Sequence, residues 1–497
     1  MKETYTMAHW NRRTFLSLAG APFALGAQAQ APSPSITTKR PNVLFIAIDD
    51  LRPALGCYGD RFAKTPNIDS LAAKGMLFER AYCQQAVCGP TRASLLTGLR
   101  PDTIRVWDLQ TSFRDTVPNA ITLPQYFKLN GYHCENIGKV FHGNDIMNDR
   151  RSWSVPERLH QVVKRDQYAL PGNDDPSDEW KKFAATERAD VPDNAYIDGK
   201  VADDACATLE RLKDRPFFLG VGFTKPHLPF AAPAKYWDLY RREDVPLPIA
   251  PAAPEDAPPW ALTRFDELRS YADVPDSEPI SESKMREVIH GYYACASYTD
   301  ANVGKVLRTL ERLGLANNTV VCLWGDHGWH LGELDYWGKK SNFDVATRAP
   351  LILRTPDSRG AQRTDALVEF VDIYPTLAEA CNLPRAEGLE GISMMPLLRA
   401  PKTEWKRAAF SQYPRPNPKR PGHNLMGYTM RTDRYRYTEW RDADTTVATE
   451  LYDHSRDPNE TSNVAASPSN SELLKELATQ LRHGWRGALP PENARIA

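Results

Sequence analysis

The chain has 497 residues, with 62 Lys and Arg against 63 Asp and Glu and a formal net charge of −1 at pH 7. That balance excludes a general attraction to nucleic acid or anionic lipid, and the length suits one large domain with a smaller one beside it. A hydrophobic fraction of 41% and a charged fraction of 25% are those of an ordinary globular protein, and 40 prolines imply many loops.

Residues 1–31 read as an export signal: Arg12-Arg13 ahead of Thr14-Phe15-Leu16, an apolar small-residue run over 18–27, then Ala-Gln-Ala-Gln-Ala. The paired arginines give it a twin-arginine character. The apolar run is too short to span a bilayer, and no later segment is long enough, so a mature chain without a membrane span is expected in a bacterial periplasm or outside the cell. A Pro- and Ser-rich linker follows. A large domain is expected over 32–410 and a C-terminal antiparallel-sheet subdomain over 411–497.

Residues 42–48 are a continuous apolar run of strand length, the pattern of a strand buried on both faces, and they end in Asp49-Asp50. Adjacent carboxylates at a strand exit repel each other unless a cation compensates them, although a lone Asp-Asp pair is more often a solvated turn or a cap. In 85–98, residues 91–97 predict a short helix with Pro90 in its first turn and Gly98 at its exit. Cys88 then sits where backbone N–H groups and the positive dipole end face an anion. A lone cysteine is ordinarily a buried small hydrophobe.

Further along, 132–137 leads into Gly138-Lys139-Val-Phe-His142. After a helix over 198–213, strand 217–223 leads into Lys225-Pro-His227. The Pro- and Asp-rich stretch 244–279 has little periodicity and reads as a long surface excursion near a pocket mouth. Residues 283–313 have helical spacing. Strand 319–324 then runs into Gly325-Asp326-His327-Gly328, with Lys339-Lys340 beyond it and Lys340 expected to face outward. Residues 350–353 give another short strand and 370–381 another helix. Residues 414–421 read as a connector, 428–432 and 435–440 as antiparallel strands about a turn at Asp433-Arg434, and 471–485 as a last helix. The eight cysteines lack zinc-type pairing, and Cys206, Cys295 and Cys322 lie in core-like patterns.

Strands alternating with helices predict an α/β fold, a large, mostly parallel sheet flanked by helices. Four strands there deliver carboxylates, lysines or imidazoles at their C-terminal ends, the edge at which such sheets bind ligands. Asp49, Asp50 and Asp326 are hard oxygen donors suited to Ca2+ or Mg2+.

Cys88-x-Pro90-x-Arg92 followed by Ser-Leu-Leu-Thr-Gly98 resembles the signature of the type I sulfatases of the alkaline phosphatase superfamily. Asp49-Asp50-Leu-Arg-Pro, Gly138-Lys-Val-Phe-His142, Lys225-Pro-His227, Asp326-His327-Gly-Trp and Ser411-Gln-Tyr-Pro-Arg-Pro resemble its iduronate-2-sulfatase-like branch, over nearly the whole mature chain. The resemblance implies that Cys88 is oxidised to formylglycine by a formylglycine-generating or anaerobic sulfatase-maturing enzyme before folding. The aldehyde hydrate then supplies the nucleophile against a sulfated carbohydrate. By the same match Asp49, Asp50, Asp326 and His327, with modified Cys88, would bind Ca2+. Arg92, Lys139 and Lys339 would bind sulfate oxygens, His142 would assist the hydrate and His227 would protonate the leaving oxygen. Many sulfatases have Asn at the His327 position, while this branch has His. Two other readings are a phosphodiesterase or phosphonate hydrolase of the superfamily, and a catalytically silent sulfated-glycan-binding protein. Trp107, Trp329 and Trp337 are candidates for stacking on a sugar, with packing as the ordinary role.

Overall fold

Residues 42–48 form β1 (Asn42–Ile48), every residue of which is buried, because helices cover both faces of the sheet it belongs to. The computed structural model describes residues 40–143, 147–161, 164–171, 181, 183–263 and 267–491, so the export-signal expectation for 1–31 lies outside the described residues. The other strands of this sheet are β2 (Met76–Tyr82), β3 (His133–Gly138), β4 (Phe217–Phe223), β5 (Thr319–Gly325), β6 (Leu351–Arg354) and β7 (Gln362–Glu369). They lie in the order β7-β2-β6-β5-β1-β4-β3. β1 is parallel to β4 and β5, and β3 is parallel to β4. β6 runs antiparallel to both β5 and β2. After β5 the chain is already at the C-terminal edge, and the next strand returns from that edge without the crossover helix that a parallel neighbour needs.

The helices that matter here are α1 (Pro66–Ala73), α2 (Cys88–Thr97), α3 (Leu123–Leu129), α4 (Ile197–Leu212), α5 (Glu282–Arg312) and α6 (Ile373–Ala380). The period-2 alternation of β1 sorts its side chains between two layers. Val43, Phe45 and Ala47 pack with Leu95 and Leu96 of α2, Phe127 of α3 and Leu377 of α6. Leu44, Ile46 and Ile48 pack with Leu71 of α1, Leu209 of α4 and Val306 of α5. Cys295 and Cys322 are buried, as the apolar pattern predicts, whereas Cys206 is only half-buried.

A second, antiparallel sheet holds β8 (Ala408–Pro416), β9 (Asn424–Thr432), β10 (Tyr435–Asp442) and β11 (Thr445–Asp453) in that order. Helix α7 (Ser471–Gly487) packs Leu477 and Leu481 on it, against Met430, Tyr437 and Leu451. The connector expected over 414–421 is corrected here: Pro414 and Pro416 pair with Met426 and Asn424 inside β8. β8 is an edge strand of that sheet, where proline's missing N–H breaks no ladder.

A wholly buried ion network joins the ends of β7 and α6 to the approach to β8. Lys406 Nζ donates to Glu369 Oε2 at 2.8 Å and to both Asp372 oxygens at 2.6 and 2.7 Å, while Arg100 pairs Glu369 through two bonds. Lys406→Met strands the Asp372 carboxylate without its cation, and breaking such a buried pair costs about 3–5 kcal/mol. Urea unfolding checks this: a loss of that order is expected, and a loss under about 1 kcal/mol would show that the carboxylate finds another partner.

Candidate active site

The C-terminal ends of β1, β3, β4 and β5 converge as the sequence pattern predicts. Asp49 and Asp50 follow β1 directly, and Asp50 is held at φ 56°, a left-handed conformation costly for a residue with a Cβ. Its N–H donates to Asp326 Oδ1 at 3.0 Å and its carbonyl accepts from Tyr292 Oη at 2.8 Å. At the end of β3, Gly138 has φ 74°, and a Cβ there would lie 2.0 Å from Gly222 O. Only glycine lets the chain turn this close to β4 and bring Lys139 back over the strand ends.

Cys88 opens α2 and is 2% exposed. One turn on, Arg92 is fully buried: Nε donates to Asp326 Oδ2 at 2.9 Å, Nη2 to Asp49 Oδ1 at 3.2 Å, and Nη1 to Val140 O at 2.9 Å and to Lys139 O. The guanidinium therefore clamps two carboxylates and the β3 exit, and its donors are directed at them. Its carbon also lies 5.5 Å from the centre of the Trp324 ring. Lys139 Nζ pairs with Asp49 Oδ2. His142 Nδ1 lies 3.2 Å from Cys88 Sγ. Lys339 Nζ donates to both Asp50 oxygens, at 2.8 and 3.0 Å, from 5.2 Å above the Trp329 ring.

His227 Nδ1–H donates to Leu228 O at 2.5 Å, which leaves Nε2 facing Glu267 Oε1 at 3.3 Å and Asp50 Oδ2 at 4.0 Å. Lys225 of the same motif is buried and bonded to Gln167 Oε1 and to the carbonyls of His227 and Pro229, so it fastens the loop. Cys88, Lys139, His142, His227, Glu267 and Lys339 line one cavity of about 730 Å3.

Glu267 is the residue that sequence reasoning missed. It falls in the aperiodic stretch 244–279, where the only signal was the expected position near a pocket mouth. That stretch is more than a surface excursion, since Leu268 and Tyr271 are 1% exposed. Lys340, expected to face outward, also lines the cavity. Trp329 and Trp337 are core residues at 1% and 2% exposure, and Trp107 donates its indole N–H to Asp102.

Burial alone would raise Asp49, but Lys139, His227 and Arg92 outweigh it and hold the carboxyl well below its ordinary range. At Asp50 burial prevails over Lys339 and the carboxyl is pushed well up. Asp326 rises to about 7 for the same reason, against Arg92. Burial would raise the Cys88 thiol, yet Lys139, Lys339 and His327 bring it down. Burial and then Lys139 push His142 down to about 3, and burial and then Lys339 do the same to His227.

The donor set fits a divalent cation. One ligand atom each from Asp49, Cys88, Asp326 and His327 all lie within 4.8 Å of one another, and Asp49, Asp50 and His227 form a second such group. His327 Nε2 is fully buried with no hydrogen-bond partner, 3.4 Å from Asp50 Oδ1 and 3.5 Å from Asp326 Oδ1. Its Nδ1 lies 2.9 Å from Gly328 O, an arrangement that leaves the Nε2 lone pair aimed at the carboxylates. A buried lone pair facing carboxylates is unfavourable without a cation between them, and the oxygen-rich set favours a hard one.

The Sulfatase family model matches residues 41–383, and the N-sulphoglucosamine sulphohydrolase C-terminal model matches 332–486. Iduronate 2-sulfatase of Mus musculus is 35% identical over 94% of this chain and 98% of its own length. Its counterpart of Homo sapiens is 37% identical over 86% and 89%. Among solved structures, phosphonate monoester hydrolase SpPMH from Silicibacter pomeroyi has the same fold, with a TM-score of 0.72 over 90% of this chain and 96% of that one at 23% identity. With the Sulfatase model covering well over half of the residues and iduronate 2-sulfatases aligned along most of the chain, this protein belongs to the sulfatase family.

Proposed function

We propose that the protein hydrolyses the sulfate ester of a uronic-acid-containing glycan through a formylglycine made from Cys88. In this reading a maturing enzyme oxidises the thiol in the cytoplasm, and the folded protein is exported to the periplasm. One observation carries the reading: the Cys88 side chain lies among Asp49, Asp326 and His327 while also lining a cavity edged by Lys139, His227 and Lys339. No helix among the described residues is long and apolar enough to cross a membrane.

Asp49, Asp50, Asp326 and His327 would hold Ca2+, with Mg2+ as the alternative, and the ion would supply Lewis-acid stabilisation of negative charge beside residue 88. Arg92 keeps Asp49 and Asp326 in register for it. Lys139 and Lys339 present ammonium groups to the sulfuryl oxygens, where charge builds as the S–O bond breaks. His142 stands beside residue 88 to take a proton from the hydrate. His227 delivers a proton from Nε2, because Nδ1 is committed to Leu228 O. Burial and Lys339 keep the free ring neutral at pH 7, so it gains that proton together with the incoming anion.

His227→Ala is expected to slow hydrolysis of sugar sulfates by roughly 10²–10⁴-fold, the usual contribution of a positioned general acid. A nitrophenyl sulfate leaves without protonation and should be slowed far less. Steady-state rates on both decide it, and equal losses would remove the proton-donor role. The function itself is tested with a panel of sulfated uronic acids and hexoses beside the matching phosphate esters. Sulfate release favouring the uronates is expected, whereas faster phosphate or phosphonate ester hydrolysis would overturn the assignment.

A further inference from the structure

The cavity is built to attract an anion, yet a carboxylate stands on its wall. Glu267 Oε2 lies 3.2 Å from Lys339 Nζ and Oε1 lies 3.3 Å from His227 Nε2. These are the two groups that the proposed mechanism sets on the sulfuryl oxygens and on the leaving oxygen. Lys339 Nζ also lies 2.8 Å from Asp50 Oδ1, so Glu267 shares the ammonium with a second carboxyl group. The main chain that carries the carboxylate is tied down: Glu267 N–H donates to Trp337 O at 3.1 Å, joining it to the segment that carries Lys339, and Ser270 Oγ donates to the Glu267 carbonyl at 2.7 Å. Oε2 keeps a further lone pair beyond its contact with the Lys339 ammonium, and Oε1 faces an imidazole that is neutral in the free protein. The side chain retains 23% exposure on the lining of the cavity.

In a sugar the oxygen on the neighbouring carbon lies next to the ester oxygen, and Glu267 stands 3.3 Å from the His227 nitrogen that the proposed mechanism sets on that ester oxygen. Resting on the sulfatase reading above, we infer that Glu267 is a specificity residue, accepting a hydrogen bond from the hydroxyl vicinal to the sulfate ester and rejecting a second anionic group at that carbon. A hydroxyl donates to a carboxylate with the strength of a charge-assisted bond, whereas a vicinal sulfate brings like charge against it.

The test compares kcat/KM on three matched sugars, a monosulfate with its vicinal hydroxyl free, the vicinal deoxy analogue and the vicinal disulfate, for native enzyme and Glu267→Gln. Native enzyme should prefer the free hydroxyl over the deoxy analogue by roughly 10- to 100-fold, the worth of a hydrogen bond to a charged group. In Glu267→Gln that preference should fall below about 5-fold, since a neutral amide acceptor makes a weaker bond, and the disulfate should gain relative to the monosulfate. Unchanged ratios with a uniform drop on all three sugars and on nitrophenyl sulfate would show that Glu267 only places Lys339 and His227, and would overturn the inference. Failure of formylglycine-bearing native enzyme to release sulfate from any sulfated sugar would instead overturn the sulfatase reading, and this inference with it.

Discussion

Cys88→Ala is expected to lower sulfate release by about 10⁴-fold or more, the scale on which deleting a nucleophile acts. The side chain is 2% exposed at the first position of α2, and alanine suits a helix start that is already packed. The fold should therefore survive, with a melting temperature within a few degrees of native, and loss of turnover then reports on chemistry. Serine at the same position is expected to be equally inactive in turnover, because a serine ester has no second hydroxyl on the same carbon with which to expel sulfate. Release of sulfate is followed by ion chromatography, and melting by calorimetry.

The second large effect is expected at Asp326. Its carboxylate accepts from Arg92 Nε and from Asp50 N–H and lies 3.5 Å from His327 Nε2. One side chain therefore orients the clamp, the strained β1 exit and the candidate ligand set. Asp326→Asn keeps the shape and removes the charge. It should weaken Ca2+ binding at least about 100-fold and lower turnover by a comparable factor.

The binding arm has its own readout. Ca2+ at about 100 times its Kd should stabilise the native protein by about 2.7 kcal/mol and the variant hardly at all. Without metal the variant gains on the native protein as pH rises. Asp326 rises to about 7 in the fold from about 3.9 in the unfolded chain, so the carboxyl is protonated in both states below pH 4 and carries no penalty there. As pH rises from about 4 to 7 the unfolded state releases the proton first, and the native protein loses stability relative to Asp326→Asn. Denaturant midpoints at pH 4 and 7 with chelator present check the sign. An Asp326→Asn protein with undiminished Ca2+ stabilisation would remove Asp326 from the ligand set.

What the sequence disclosed, and what it did not, follows from burial. β1, β4 and β5 are buried along their whole length, so uninterrupted apolar runs betray them and the charged residues at their ends stand out. β2 and β7 were not readable in the same way. Met76–Tyr82 carries Glu79 and Arg80 at its half-buried middle, and Gln362–Glu369 is an edge strand with polar residues through its first half. β8 was hidden by its prolines. The direction of β6 depends on where the chain stands when it leaves β5, which no local pattern encodes.

The site shows the same division. Asp49, Asp326, His327, Lys139 and His227 were legible because strand ends deliver them. Glu267 comes from a stretch without periodicity, and backbone bonding to Trp337 brings it to the cavity. That Arg92 directs its donors at Asp49 and Asp326 could not be read from Cys-x-Pro-x-Arg spacing, since it depends on how α2 packs across β1 and β5.

The central claim is that residue 88, once oxidised, is the group that attacks sulfur. Enzyme preparations differing only in the fraction of residue 88 present as formylglycine, measured by mass spectrometry of its peptide, should release sulfate in direct proportion to that fraction and show no turnover at zero. Steady sulfate release from protein in which Cys88 is wholly unmodified would contradict the account.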